Sequence, residues 1–206
     1  AEVHFLRAFF YFELVKIYGD VPLFTAGRLT AGDSGTLSRV SKSEVYSVIE
    51  SDLLSAVSGL QAKKSSDGRA TSFTAHALLG KVYLYQDKFS DAANILEPLV
   101  GLYTLPSDPS SVFLVEGENG PESVFEIQHS KESNGWNWGW MPQGTEGNFG
   151  VIHHGIRGYS GPVYASGWSF NVPTKDLVDA FDSGDKRKNT SVLDIAAWAD
   201  ANNAQY

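Results

Sequence analysis

Three tryptophans at alternate positions, Trp136, Trp138 and Trp140, are the residues of this sequence whose type and spacing point most directly to a chemistry. They lie in a stretch from Ser133 to Thr174 that holds only two fully charged residues, Glu146 and Arg157, beside eight aromatics: Trp136, Trp138, Trp140, Phe149, Tyr159, Tyr164, Trp168 and Phe170. The interleaved glycines argue against a regular helix, and in an extended chain alternate side chains point to the same side. Three indoles so placed would form a flat apolar platform. Sugars present apolar C–H faces ringed by neutral hydroxyls, so their complement is aromatic planes with uncharged amides. Asn134, Asn137, Gln143 and Asn148 supply amides nearby. The residues expected to contact such a ligand are Trp136, Trp138, Trp140, Asn137, Tyr159 and Trp168. Tryptophans are also heavily buried on average, so packing accounts for any single one as well as ligand contact does. The uncharged stretch as a whole is what favours a ligand.

Other chemistries find less support. The absence of cysteine removes disulfides, thiolate nucleophiles and sulfur-bound zinc together. His153-His154 are neighbours, and in an extended segment they would diverge, which suits one metal poorly and a surface or packing role better. Asp182 and Asp185 hint at a calcium loop, but Lys186-Arg187-Lys188 put cations where oxygen ligands belong. The pattern reads instead as a helix ending at Gly184, with basic residues near its negative end. Glycoside hydrolysis needs two convergent carboxylates, and the aromatic stretch offers Glu146 alone. Phosphate-loop, nucleophile-elbow and dinucleotide signatures do not occur. The sequence therefore implies no catalytic residue, no metal and no cofactor. A net charge of −8 disfavours nucleic acid, and apolar runs such as Ala8 to Phe12 fall well short of a membrane span.

The elements that must position these residues begin with helices. Residues 3–18 are apolar nearly all round, the pattern of a helix buried on most faces, and Gly19-Asp20 with Pro22 end it. Ser41-Lys42-Ser43-Glu44 has capping-box spacing and opens a second helix with a single apolar stripe from Val45 to Leu60. A third helix over about 71–86 and a fourth over about 90–100 are separated by Asp87-Lys88-Phe89, which makes a tight antiparallel hairpin. That hairpin partly matches the tetratricopeptide pattern: His76 stands at the usual tryptophan position, followed by Leu79-Gly80, Tyr83, Ala92 and Leu96. Gly80 and Ala92 should let two helices approach while Leu79, Tyr83 and Leu96 fill the groove. Beyond Leu105, prolines and glycines punctuate the chain, and Ser123 to Gln128 alternates as a short strand would. The expected fold is mainly α: a tetratricopeptide-like helical superstructure with a loop-rich, aromatic-bearing second half and little β. Residues 1–105 form the scaffold and residues 106–206 a loop-rich ligand-binding region packed on it.

With these residues in view, the sequence resembles the SusD/RagB family of surface glycan-binding lipoproteins. The resemblance rests on Ala1-Glu2-Val3-His4-Phe5-Leu6-Arg7-Ala8 running into Tyr11 to Leu23, on Gly68-Arg69-Ala70-Thr71, on Glu122 to Gln128, and on Pro173 to Phe181 followed by Gly184-Asp185-Lys186-Arg187. These pieces keep the family's order across nearly the whole chain. The resemblance implies a non-catalytic glycan binder that delivers its ligand to a TonB-dependent, SusC-like outer-membrane transporter. It also implies an outer-membrane, surface-exposed location, with membrane contact only through a lipid anchor on a longer parent chain, since the opening residues read as helix interior and the family's chains are longer. Individual ligand contacts do not follow from it, because the family's binding residues lie in variable loops, and some members take peptides or other nutrients. A helical-repeat scaffold for protein partners, or a glycoside hydrolase with a carboxylate facing Glu146, are the alternatives.

Overall fold

The computed structural model describes residues 1–25, 27–30, 32–129 and 150–206. Trp136, Asn137, Trp138, Trp140 and Glu146 lie outside the described residues. The chain divides into two compact units, residues 1–105 with 119–126, and residues 106–118 with 127–206.

The first unit is a layer of four helices, α1 (Glu2–Tyr18), α2 (Lys42–Gly59), α3 (Ser72–Leu84) and α4 (Phe89–Leu96), each packed on the next in sequence. Its core is a stripe of α1, Phe5, Ala8, Phe12 and Val15, set against Val45, Ile49, Leu53 and Ala56 of α2, with Ala75, Leu79 and Val82 of α3 closing it. Apolar side chains spaced three or four apart meet on one helix face, so each helix contributes a line of knobs to this layer. Gly80 marks the closest approach of α3 and α4: a Cβ there would lie 2.6 Å from Leu96 Cγ. Ala92 is buried on the opposing helix. A two-residue antiparallel ladder, β1 (Val21–Pro22) with β2 (Arg39–Val40), ties the exit of α1 to the entry of α2. Arg39 extends this tie by donating to the carbonyls of Asp20 (2.7 Å) and Tyr18 (3.0 Å), where α1 leaves carbonyls without helical partners.

The helix starts follow their capping residues. Ser41 Oγ accepts from the Glu44 amide, and Glu44 Oε2 accepts from the Ser41 amide (3.1 Å) and hydroxyl (2.7 Å). Those bonds, the hydroxyl's first, hold the Glu44 carboxyl below its ordinary pKa. A folded value below the unfolded one means the cap contributes fully above the ordinary carboxylate range and fades as pH falls through the folded value. Thr71 and Thr74 cap α3 reciprocally in the same way.

Three local expectations change. Helix α1 is buried along one stripe only: Val3, Leu6, Phe10, Leu14 and Ile17 are 40–74% exposed. The reason is its place at the end of the layer, where α2 covers one side of it. The segment 123–128 is not a strand. Its conformation is set by Phe125, whose ring packs edge-on against Phe5 (5.3 Å) and Phe9 (6.1 Å), while the Glu126 carboxylate accepts from the Asn119 amide. Lys186-Arg187-Lys188 open a helix instead of closing one, because Asp185 caps it, accepting from the Arg187 amide (2.9 Å) and pairing with its guanidinium.

The second unit carries short helices α5 (Gly150–His154), α6 (Lys175–Asp179), α7 (Lys186–Ser191) and α8 (Ile195–Asn202), with 3₁₀ turns at Pro109–Phe113 and Val115–Gly117. An isolated antiparallel bridge pairs Ser160 with Gln205 through amide–carbonyl bonds of 2.9 and 2.8 Å.

The ion pair that joins α1 to α2 was not anticipated. Arg7 Nε and Nη2 donate to Asp52 at 2.6 and 2.7 Å, a two-pronged geometry, and the Asp52 side chain is only 5% exposed while that of Arg7 is 30% exposed. Removing the guanidinium strands a buried carboxylate, whereas removing the carboxylate leaves a cation that still reaches water. Urea unfolding of Arg7→Met should therefore show a loss of about 3 kcal/mol, clearly larger than the loss for Asp52→Asn. Equal losses would contradict this account.

Candidate functional site

The described aromatic residues of the second unit are held by a short run of backbone pairing. After α5 the chain loops out and returns, and residues 167–170 pair with 152–156: Gly167 N to Ile156 O (3.0 Å), Trp168 N to Ile152 O (2.8 Å), Ser169 N to Gly155 O (2.9 Å) and Phe170 N to His153 O (2.8 Å). Four bonds in so short a span fix the backbone closely. The approach needs a residue without a side chain at its start: a Cβ on Gly167 would lie 2.5 Å from both Gly155 Cα and Ile152 O. His153 and His154 are thus helical, not extended as the sequence suggested. They still serve different surroundings.

On one side of this pairing, three rings gather. Trp168 lies 5.4 Å from His153 and 5.6 Å from Phe170, with His153 and Phe170 6.0 Å apart, all mutually tilted. Trp168 is half-buried, and Phe170 is 53% exposed. Arg157 fastens the group from behind, its Nη2 donating to Trp168 O (2.9 Å) and its amide to Ser169 Oγ (2.8 Å). A half-buried tryptophan beside a more exposed phenylalanine ring, both fixed by main-chain bonds, is a preorganised aromatic group.

Tyr159 is placed differently. Its ring is buried, its hydroxyl donates to Pro162 O (2.6 Å) and accepts from Trp198 Nε1 (3.1 Å), and its edge meets Tyr164 at 6.1 Å. Tyr164 in turn stands edge-on to Trp198 at 5.0 Å and is 42% exposed. Tyr159 therefore serves this group as a support, with its hydroxyl committed to the protein. The structure does not place Tyr159 and Trp168 in ring contact with each other, and the remaining expected ligand residues, Trp136, Asn137, Trp138 and Trp140, lie outside the described residues. Sequence reasoning named Trp168 but missed His153 and Phe170 as its neighbours, and it missed Trp198 as the partner of Tyr159 and Tyr164. Phe170 alternates with Trp168, which was a usable signal. Trp198 sits on α8, far along the chain, and nothing local advertised it. Among the described residues no group of three or more His, Asp or Glu side chains converges as metal ligands.

Comparison with known proteins agrees with this architecture. Residues 1–84 match the SusD-like family model described as "Starch-binding associating with outer membrane". The chain is 28% identical to SusD-like protein P2 of Formosa agariphila over 205 residues, covering 96% of this chain and 39% of that protein. A solved laminarin-binding SusD-like protein is 36% identical, with a TM-score of 0.85 over 100% of this chain and 47% of that one. Surface glycan-binding protein A from Bacteroides fluxus is 27% identical, with a TM-score of 0.78 over 94% of this chain and 42% of that one. Along its whole length the chain is thus similar to SusD-like proteins, and its residues 1–84 carry the family's model. It spans less than half the length of these relatives.

The pairing that carries Trp168 can be tested at its tightest point. Gly167→Ala forces a methyl into two backbone atoms that cannot yield separately, so thermal or urea unfolding should show a loss of about 1–3 kcal/mol, the usual cost of overpacking. An unchanged midpoint would show that the close approach is not as drawn.

Proposed function

We propose that this chain binds a neutral glycan without altering it, as part of a bacterial surface protein that passes the glycan to a TonB-dependent, SusC-like outer-membrane transporter. The observation that carries the reading is the ring group of Trp168, Phe170 and His153, held by main-chain bonds on a face of the second unit whose neighbouring sequence is almost free of charge. Stacking of sugar C–H faces on such rings selects shape and neutrality, and it asks for no catalytic carboxylate. In this reading Trp136, Trp138, Trp140 and Asn137 extend the stacking surface, Trp168 is its described part, and Tyr159 braces the Tyr164 and Trp198 rings. Residues 106–206 serve as the ligand-binding region and residues 1–105 as the helical scaffold. The laminarin-binding relative makes a laminarin-type glucan the first ligand to try. In this reading the protein is held at the outer membrane by a lipid anchor of a longer parent chain; among the described residues no helix is long and apolar enough to cross a membrane.

A second reading, a scaffold for protein partners, draws on the exposed apolar stripe of α1. The two separate in affinity electrophoresis through laminarin-containing gels. The chain should be retarded, Trp168→Ala should lose about tenfold or more of that affinity, as expected for loss of a stacking residue, and Leu6→Glu on α1 should be retarded like the parent. Free migration of the parent chain, or release of reducing sugar during incubation, would sink the glycan-binder reading.

A further inference from the structure

Behind the Trp168 group, across the same backbone, the second unit holds a half-open cavity of about 500 Å³, within the usual size range of small-molecule sites. The segment 168–171 divides the two: Trp168 and Phe170 belong to the ring group, whereas Ser169 and Asn171 line the cavity. His153 and His154 split in the same way, His153 to the rings and His154 to the cavity. No carboxylate, ammonium or guanidinium is among the cavity's described lining. Its floor is aliphatic, with Ile156, Leu193 and Ile195, and polar groups stand around it on His154, Ser169, Asn171 and Ser191.

One wall is the Tyr164 ring, and its position is enforced. Tyr164 packs edge-on against Trp198 and Tyr159, and its amide donates to Pro162 O (2.9 Å), closing a three-residue turn around Val163. Val163 has φ 73°, a conformation that a β-branched residue adopts only when its surroundings compel it. Ser169 (φ 54°) and Asn171 (φ 60°) are also left-handed. Ser169 and Asn171 line the cavity and Val163 precedes the lining residue Tyr164, and local strain of this kind accumulates where a ligand is clamped.

We infer that this cavity is a separate subsite that seats one uncharged sugar ring, its apolar face on Tyr164 and the aliphatic floor, its hydroxyls toward Asn171, Ser169, Ser191 and His154. The inference rests on the glycan-binding reading and adds a subsite on the other side of the 167–170 segment. No Asp, Glu, Lys or Arg in the described lining offers a charged ligand a counter-ion, and a purely aliphatic one would leave unpaired each polar rim group it covered.

The test is a calorimetric titration of laminarihexaose into the chain and two variants. Asn171→Gly removes the amide while keeping a left-handed backbone, so the fold should be retained. Its affinity should fall about tenfold, the scale of a lost hydrogen bond. Tyr164→Ala should lose at least as much, and if its melting temperature also drops, Asn171→Gly decides. Wild-type affinity in Asn171→Gly, while Trp168→Ala binds weakly, overturns the subsite and leaves the glycan reading intact. No binding by the parent chain to any neutral glucan overturns the glycan reading itself, and the subsite with it.

Discussion

Two backbones can run side by side only where side chains give way, and both units of this protein depend on that constraint. In the helical unit Gly80 lets α3 and α4 approach with the Leu96 side chain filling the space a Cβ would take. That approach brings Leu79 and Val82 into the core shared with α1 and α2. In the loop-rich unit Gly167 performs the same service against Gly155 and Ile152, and the four main-chain bonds that follow decide where Trp168 and Phe170 stand. The interior of a protein is dense enough that one methyl group in either place would have to displace something. The aromatic surface is therefore a consequence of backbone geometry before it is a matter of aromatic residues.

Much of the helical unit was legible because its determinants are local. The spacing of Val45 to Leu60, the Ser41–Glu44 capping box and the tetratricopeptide-like offsets around Gly80 each describe neighbours within a turn or two, and each element formed where the spacing predicted it. What failed was non-local. A helix apolar nearly all round reads as buried on most faces, yet α1 is buried along one stripe only, chiefly against α2. The alternation of 123–128 satisfied a strand pattern, but a strand also requires a partner backbone, and the pull of Phe125 into the Phe5–Phe9 cluster won. Basic residues after Gly184 suggested a helix end, and the decisive residue was the cap Asp185 just before them.

For the candidate site, composition indicated the region and the chemistry but could not distribute the roles. Tyr159 and Trp168 looked equivalent in the sequence, two aromatics in an uncharged stretch. In the fold, Tyr159 is buried with its hydroxyl engaged by Pro162 and Trp198, whereas Trp168 is half-buried beside Phe170. The difference comes from α8, which no local pattern connects to the aromatic stretch. The family resemblance, by contrast, was carried by residues that the structure brings together for structural reasons: Arg69 of one motif pairs with Glu2 of another, and Arg7 of the first motif pairs with Asp52.

The central claim is that an uncharged aromatic surface makes this chain a binder of neutral glycans. Isothermal titration with two soluble polysaccharides, neutral laminarin and the polyanion alginate, at low ionic strength tests it most directly. The account predicts saturable binding of laminarin, in the micromolar range or weaker, with no detectable heat from alginate, because an aromatic surface on a chain of net charge −8 has little to offer a polyanion. Binding of alginate in preference to laminarin, or no binding of either, would contradict it.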